Sequence, residues 1–171
     1  ALNLYNVTDW GRGTGDADAL VGFEDNQGPL IRDNRLSGND LNGLRVRSET
    51  MTTEGVWDDT DIVHVVEGEI YTVDHHYVGG LRLESSPTQS LVVKFGNDAR
   101  IVATGRPLDI DDRIGGTLQV IGQPGFPVIL TSLLDDSVGA GFAPNGRAQT
   151  DTNGGFGVPA PGDWQGLVLD V

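Results

Sequence analysis

Cysteine is absent from the 171 residues, so neither disulfide bonds nor thiolate metal sites are available to this chain. Basic residues are scarce: 11 Lys and Arg stand against 25 Asp and Glu, which gives a formal net charge of -14. Nucleic acid and anionic membranes attract proteins through basic patches, so this balance argues against both as partners. No apolar run approaches the roughly 18 residues of a membrane span, so we predict no membrane insertion.

The acidic residues are mostly aspartate, with 19 Asp among the 25 acids. Lys94 is the only lysine. Aspartate suits turns and the binding of hard cations, whereas glutamate suits helices. The charge is therefore predicted to lie in loops, where it attracts divalent cations.

A sustained apolar period of 3.6 residues is also lacking, while 25 glycines and 8 prolines indicate many turns. Short apolar or alternating runs recur instead, and from DIVHVV to PVILTS they follow each other about every 8–12 residues. This pattern predicts an all-β protein. The eleven candidate strands are ALVGF, PLIR, GLRVRS, DIVHVV, EIYTV, GLRLES, SLVVKF, RIVATG, TLQVIG, PVILTS and GLVLDV.

Two near-copies, GLRV at residues 43–46 and GLRL at residues 80–83, favour a solenoid over a sandwich or a barrel. In a solenoid, equivalent strands of successive turns stack on each other. The copies lie further apart than one turn of about 20–25 residues. The predicted repeat is therefore imperfect.

The stretch IRDNRLSGNDLNGLRV at residues 31–46 resembles the pectate-lyase-like repeat of right-handed parallel β-helix proteins. From SLVVKF to GDWQGLVLDV the chain is similar to long bacterial surface and secreted β-helix proteins. The resemblance implies a right-handed, single-stranded parallel β-helix with one long acidic loop. It further implies one domain over residues 1–171, a piece of a longer extracellular or bacterial surface protein.

The acidic loop begins after PVILTS and ends where a strand resumes at GDWQGL, so we predict an ordered excursion that rejoins the stack. Calcium takes six to eight hard oxygen ligands, and glycine-rich loops turn carbonyl groups inward. We predict calcium as a cofactor here. The alternative is a solvated loop whose acids cap turns. The predicted ligands are Asp135, Asp136, Asp151, Asn153 and Asp163.

Two further acid pairs occur at alternate positions, which face the same side of a strand: Asp59 with Asp61, and Asp109 with Asp111. Each pair either converges on a cation or consists of solvated turn residues. Adjacent His75 and His76 point to opposite faces of a strand, so a shared transition metal is disfavoured.

Pectin-degrading hydrolases carry Gly-His-Gly and Arg-Ile-Lys phrases that this chain lacks. Lyase chemistry needs a basic residue to remove a proton, for which Arg45 and Arg82 are candidates. The alternative for both is an outward arginine paired with an acid on the next turn. For Trp164, packing is favoured over stacking on a sugar. We assign no catalytic residue.

Two functions follow as hypotheses. The first is an extracellular structural or adhesive module, stabilised by calcium, associated with polysaccharide, and stacked end to end on other copies or flanking β-helix coils. The second is a polysaccharide lyase or glycoside hydrolase that acts on acidic polysaccharide.

Overall fold

The computed structural model describes residues 31–51, 55–72, 80–104 and 118–170. Every candidate strand from residue 43 onward contains a β-strand. The run ALVGF lies outside the described residues, and the two described residues of PLIR, Ile31 and Arg32, are not in a strand. The strands are β1 (Leu44–Val46), β2 (Glu49–Met51), β3 (Gly55–Trp57), β4 (His64–Val66), β5 (Glu69–Thr72), β6 (Leu81–Glu84), β7 (Leu91–Phe95), β8 (Arg100–Thr104), β9 (Leu118–Ile121), β10 (Val128–Ser132) and β11 (Gly166–Asp170).

Successive strands join three parallel sheets in rotation. The first sheet has the order β1-β4-β7-β10, the second β2-β5-β8-β11 and the third β3-β6-β9. All strand pairs between these elements are parallel. We call each set of consecutive strands, one from each sheet, a tier: β1–β3, β4–β6, β7–β9 and, last, β10 with β11.

The core lies between the three sheets, where the inward side chains of one tier stack on those of the next. Leu81 of β6 lies between Gly55 and Leu118, and Ile101 of β8 lies between Ile70 and Leu167. Alternation along a strand sends every second residue inward. The buried inner cluster is Trp57, Val66, Ile70, Leu81, Leu83, Leu91, Val93, Phe95, Ala99 and Ile101.

The near-copies at residues 43–46 and 80–83 do not occupy equivalent positions, so this part of the prediction is wrong. Leu44–Val46 belongs to the first sheet, whereas Leu81–Glu84 belongs to the third. The tier length also varies: Leu44 pairs with His64, His64 with Val93, and Leu91 with Val128. A similar local pattern specifies a strand in each case, but long-range pairing decides which sheet it joins.

The all-β class predicted from the sequence is confirmed, and the strands are parallel with no helix among the described residues. The rotation of strands through three sheets is compatible with a parallel β-helix or another solenoid. A search of the described part of the chain for helices long and apolar enough to span a membrane finds none.

Candidate functional site: a buried lysine beneath the acidic loop

The outer face of the first sheet is buried at β4 and β7, although Arg45 of β1 is exposed on the same face. All five residues of β7 are buried, as its nearly continuous apolar sequence LVVKF implies. Because Leu91, Val93 and Phe95 belong to the inner core, Val92 and Lys94 point outward. Something must therefore cover β7 on its outer side.

The cover is the acidic loop, residues 133–165, which connects β10 to β11. Its Leu133, Val138 and Ala140 pack on a second hydrophobic cluster formed by Val63, Val65 and Val92. The loop extends back across all four tiers, since the backbone N–H of Asn42 donates to Thr152 O at 2.7 Å. After the loop, β11 pairs with β8 and rejoins the second sheet.

Two glycines allow the loop to lie this close. A Cβ atom on Gly139 would stand 1.9 Å from Gln149 O, in the returning limb of the loop. A Cβ atom on Gly141 would stand 2.1 Å from Asp61 O, and Gly141 has a φ of +71°, which favours glycine. The loop is therefore in backbone contact both with itself and with the segment before β4.

Lys94 lies beneath this loop with 0% of its surface exposed. On the outer face its register neighbours are Val65 of β4 and Thr131 of β10. Its Nζ donates a hydrogen bond to the carbonyl oxygen of Thr150 at 2.8 Å. Burial lowers the pKa of Lys94, and the negative charges of Asp136, Asp135 and Asp151 oppose that shift. The chain's one lysine thus lies where three aspartates of the acidic loop favour its positive charge.

The carboxylate of Asp135 is held by Thr131 of β10, which pairs with Lys94 in the sheet. The hydroxyl of Thr131 donates to Asp135 Oδ2 at 2.7 Å, and the Ser137 backbone N–H donates to Oδ1 at 3.0 Å. Hydrogen bonds from the Ser137 and Thr131 side chains lower the pKa of Asp135, and Lys94 contributes in the same direction. Asp136 Oδ1 is buried with no hydrogen-bond partner among the described residues.

The five predicted calcium ligands are divided by the structure. The charges of Asp135, Asp136 and Asp151 raise the pKa of Lys94 against the effect of burial. Asp151 Oδ1 also accepts the Gly154 N–H at 2.8 Å. Asn153 Oδ1 accepts the N–H of Gly155 at 3.2 Å, within its own turn. Asp163 Oδ2 accepts the Ser132 hydroxyl and the Ala160 N–H, both at 2.8 Å, and these bonds lower its pKa. Over the described ranges, no three acidic or histidine side chains form a metal-binding group. Calcium binding stays a prediction.

The other acid pairs have different outcomes. Asp59 Oδ1 accepts the Ile31 N–H at 2.9 Å and Asp61 Oδ2 accepts the Asp33 N–H at 2.5 Å, so alternate acids hold alternate amides of one segment. Burial raises the pKa of Asp59 to about 6. The pair Asp109 and Asp111, and the histidines 75 and 76, lie outside the described residues.

Three of the remaining candidates have structural contacts. Arg45 pairs with Glu67 of the next tier at 3.0 Å, which confirms the outward pairing, whereas Arg82 lies 3.7 Å from Glu84 of its own strand. The ring of Trp164 stacks on Phe95 with centroids 4.3 Å apart, which confirms the packing role. These contacts leave the two arginines as surface ion-pair partners.

His64 is a buried titratable group for which the sequence indicated no role. Its side chain is fully buried inside the stack, and its ring lies against Trp57 with centroids 5.3 Å apart. Neither ring nitrogen has a hydrogen-bond partner among the described residues. Burial lowers the pKa of His64 to about 4. The neutral imidazole therefore behaves as part of the apolar core.

Comparisons with known proteins give no match: no family model, no curated protein and no solved structure is similar to this chain. The function must therefore be argued from the described residues.

Proposed function

We propose that the chain is a structural module built as a right-handed parallel β-helix, each tier being one coil. Rotation of the strands through three parallel sheets supports this. Connections between parallel strands of the same sheet are almost always right-handed, and this is the basis for proposing a right-handed helix. In this proposal the module belongs to a secreted or bacterial surface protein and stacks end to end on copies or flanking coils.

The contacts of the aspartates in the acidic loop are the main support for a structural role. Catalysis of polysaccharide cleavage requires carboxylates, or a base beside a metal, that converge on an open groove. Here the charges of Asp135, Asp136 and Asp151 favour the protonated form of a buried lysine, while Asp163 accepts hydrogen bonds from the Ser132 hydroxyl and the Ala160 N–H. Groups engaged in this way stabilise the loop.

The second candidate function is a lyase or hydrolase for acidic polysaccharide, with Arg82 as a base. Its ion pair with Glu84 favours the structural role. The two functions separate in a turnover assay on acidic polysaccharides with added calcium, read by reducing ends and by ultraviolet absorbance of unsaturated products. We expect no turnover. Product formation that disappears in the Arg82→Gln variant would establish the enzyme instead.

The loop also suggests how calcium should behave. An ammonium group repels a cation, so Lys94 competes with calcium for Asp135, Asp136 and Asp151. We propose that Lys94 alone balances these acids. The thermal midpoint should then be the same in calcium and in chelator, because a ligand stabilises only what it binds. A lower midpoint in chelator would restore the calcium-stabilised loop predicted from the sequence.

A further inference from the structure

Three Asn-Gly pairs occur in the described part of the chain: Asn42-Gly43, Asn145-Gly146 and Asn153-Gly154. An asparagine followed by glycine is prone to lose its side-chain amide group, because glycine has no side chain to hinder attack by its own backbone nitrogen. The reaction is fastest where the fold holds the bonding atoms together, provides a base and stabilises charge on the carboxamide oxygen. The three pairs differ in how many of these conditions they meet.

The pair at residues 153–154 lies in the acidic loop and meets all three conditions. The Gly155 N–H donates to Asn153 Oδ1 at 3.2 Å and closes a turn whose ring contains both Asn153 Cγ and the Gly154 nitrogen. The Gly154 N–H donates to Asp151 Oδ1 at 2.8 Å. A carboxylate therefore lies within the distance at which a general base removes a proton.

The pair at residues 145–146 shares this turn but lacks the base. The Arg147 N–H donates to Asn145 Oδ1 at 3.0 Å, and the φ of the glycine is +80°, against +68° in the first pair. The Gly146 N–H, however, donates to the backbone carbonyl of Ala143 at 2.9 Å. Because a backbone carbonyl does not take up a proton at neutral pH, this pair is a matched reference within the same loop.

The pair at residues 42–43 has neither the turn nor the base. Asn42 is 8% exposed, and its Oδ1 accepts a hydrogen bond from the Asn39 side chain at 3.2 Å. The Leu44 N–H, which would have to close the turn, donates to Val63 O at 2.8 Å instead. We therefore expect this pair to react most slowly of the three.

We propose that Asn153-Gly154 is a site of self-catalysed deamidation, with Asp151 as the general base. Asp151 Oδ1 takes the proton of the Gly154 N–H, and the nitrogen forms a bond to Asn153 Cγ. The Gly155 N–H stabilises the negative charge that develops on Asn153 Oδ1. Return of the proton expels the carboxamide nitrogen as ammonia and leaves a cyclic imide. Water then hydrolyses the imide at one of its two carbonyls, which gives aspartate or isoaspartate.

Isoaspartate at this position would alter the cover over Lys94. The Thr150 carbonyl accepts the hydrogen bond from Lys94, and the Thr152 carbonyl accepts the Asn42 N–H at 2.7 Å. Isoaspartate inserts an extra carbon into the backbone directly after these contacts, so the modified loop should fit its surface less well. Since the reaction needs only water, it limits the lifetime of the intact loop.

Peptide mapping by mass spectrometry, during incubation at neutral pH, measures the rate at each pair separately. In the folded chain Asn153 should react about 100-fold faster than Asn145, at the lower end of what a positioned general base contributes. In denaturant the two rates should be similar, because each asparagine is followed by glycine. The rate at Asn153 should also rise less steeply with pH, since the other pair depends on free hydroxide.

Asp151→Asn tests the base, because it keeps an acceptor oxygen for the Gly154 N–H but cannot take up the proton. It should slow deamidation at Asn153 by about 100-fold and make its pH profile match that of the reference pair. Asp98→Asn is the matched control. It removes the same charge from an exposed acid that also contacts the loop, through Gln165 Nε2 at 3.2 Å, and should leave the rate at Asn153 unchanged.

Equal rates at Asn145 and Asn153 in the folded chain would overturn the inference. An Asp151→Asn chain that deamidates Asn153 at the wild-type rate would do the same, as would a wild-type Asn153 that reacts no faster than in denaturant. The inference does not depend on the proposed function. Polysaccharide turnover would overturn that function and leave this site as it is.

Discussion

The inner and outer faces of the first sheet each bury one ionisable side chain, and they deal with its charge in opposite ways. His64 of β4 points into the core, and Lys94 of the neighbouring β7 points outward beneath the acidic loop. Both are 0% exposed. The two residues are near neighbours in the register, because His64 pairs with Val93 and Lys94 with Val65.

The environments explain the difference. Inside the stack His64 meets an aromatic ring and aliphatic groups, so the imidazole loses its charge and its pKa falls to about 4. Outside the stack a loop can be added, and this one delivers a carbonyl oxygen and three aspartates to Lys94. The outer face thus provides partners for a buried ionisable side chain, whereas the inside provides none for the ring nitrogens of His64 among the described residues.

The largest expected effect comes from lifting the loop off the outer face. Gly141→Ala places a methyl group against Asp61 O at a position with positive φ, and we expect a loss of about 4 kcal/mol in the free energy of unfolding. Urea denaturation measures it. Gly146 also has a positive φ, of +80°, but an added Cβ there meets open space. Gly146→Ala should therefore cost only about 1 kcal/mol, and equal losses would refute close loop packing.

The second effect is the pH dependence that His64 imposes. The unfolded imidazole binds a proton near pH 6.5 and the folded one near pH 4. Between these values the unfolded chain binds more protons, so the free energy of unfolding falls as the pH is lowered. The window of about 2.5 pH units corresponds to about 3 kcal/mol, at 1.36 kcal/mol for each unit.

Asp59 opposes this trend, since its folded pKa of about 6 lies above the ordinary 3.8 and the folded chain binds more protons between them. The difference between wild type and His64→Phe isolates the histidine, because both retain Asp59. Between pH 7 and pH 4 the variant should gain about 3 kcal/mol relative to wild type in urea titrations. Parallel pH profiles would mean that His64 is protonated within the fold.

The third effect is the removal of the outer charge itself. Lys94→Met keeps the aliphatic stem but leaves Asp135 and Asp136 without their counter-charge, and we expect a loss of about 2 kcal/mol, because these carboxylates are only partly buried. Adding Asp135→Asn and Asp136→Asn should recover part of this loss, which a double-mutant cycle measures. Arg45 occupies the equivalent outward position in β1, two strands away from Lys94 in the same sheet. Arg45→Met removes an exposed ion pair and should cost less than about 0.5 kcal/mol.

The sequence predicted the strands well where an apolar run carried its own signal, as in β7 and β10. It missed β2 and β3, three residues each, because runs such as ETM have no apolar alternation and become strands only by pairing with β5 and β6. It also misjudged the repeat, since sheet membership depends on loop lengths that a local pattern does not encode.

At the candidate site, the sequence indicated an ordered acidic loop in need of a counter-charge but not the identity of that charge. A signal was present: the single lysine lies within SLVVKF, an otherwise apolar run that indicates burial on both faces. What the sequence could not show is that Thr150, 56 residues later, returns to Lys94.

The central claim is that the acidic loop buries Lys94, and the reactivity of that amine tests it most directly. Because Lys94 is the only lysine, an amine-acylating reagent can modify only Lys94 and the terminal amino group, which mass spectrometry distinguishes. Under native conditions Lys94 should react at least about 100-fold more slowly than in denaturant, since the loop must open first. Gly141→Ala should abolish most of this protection. Native Lys94 that reacts as fast as it does in denaturant would contradict the account.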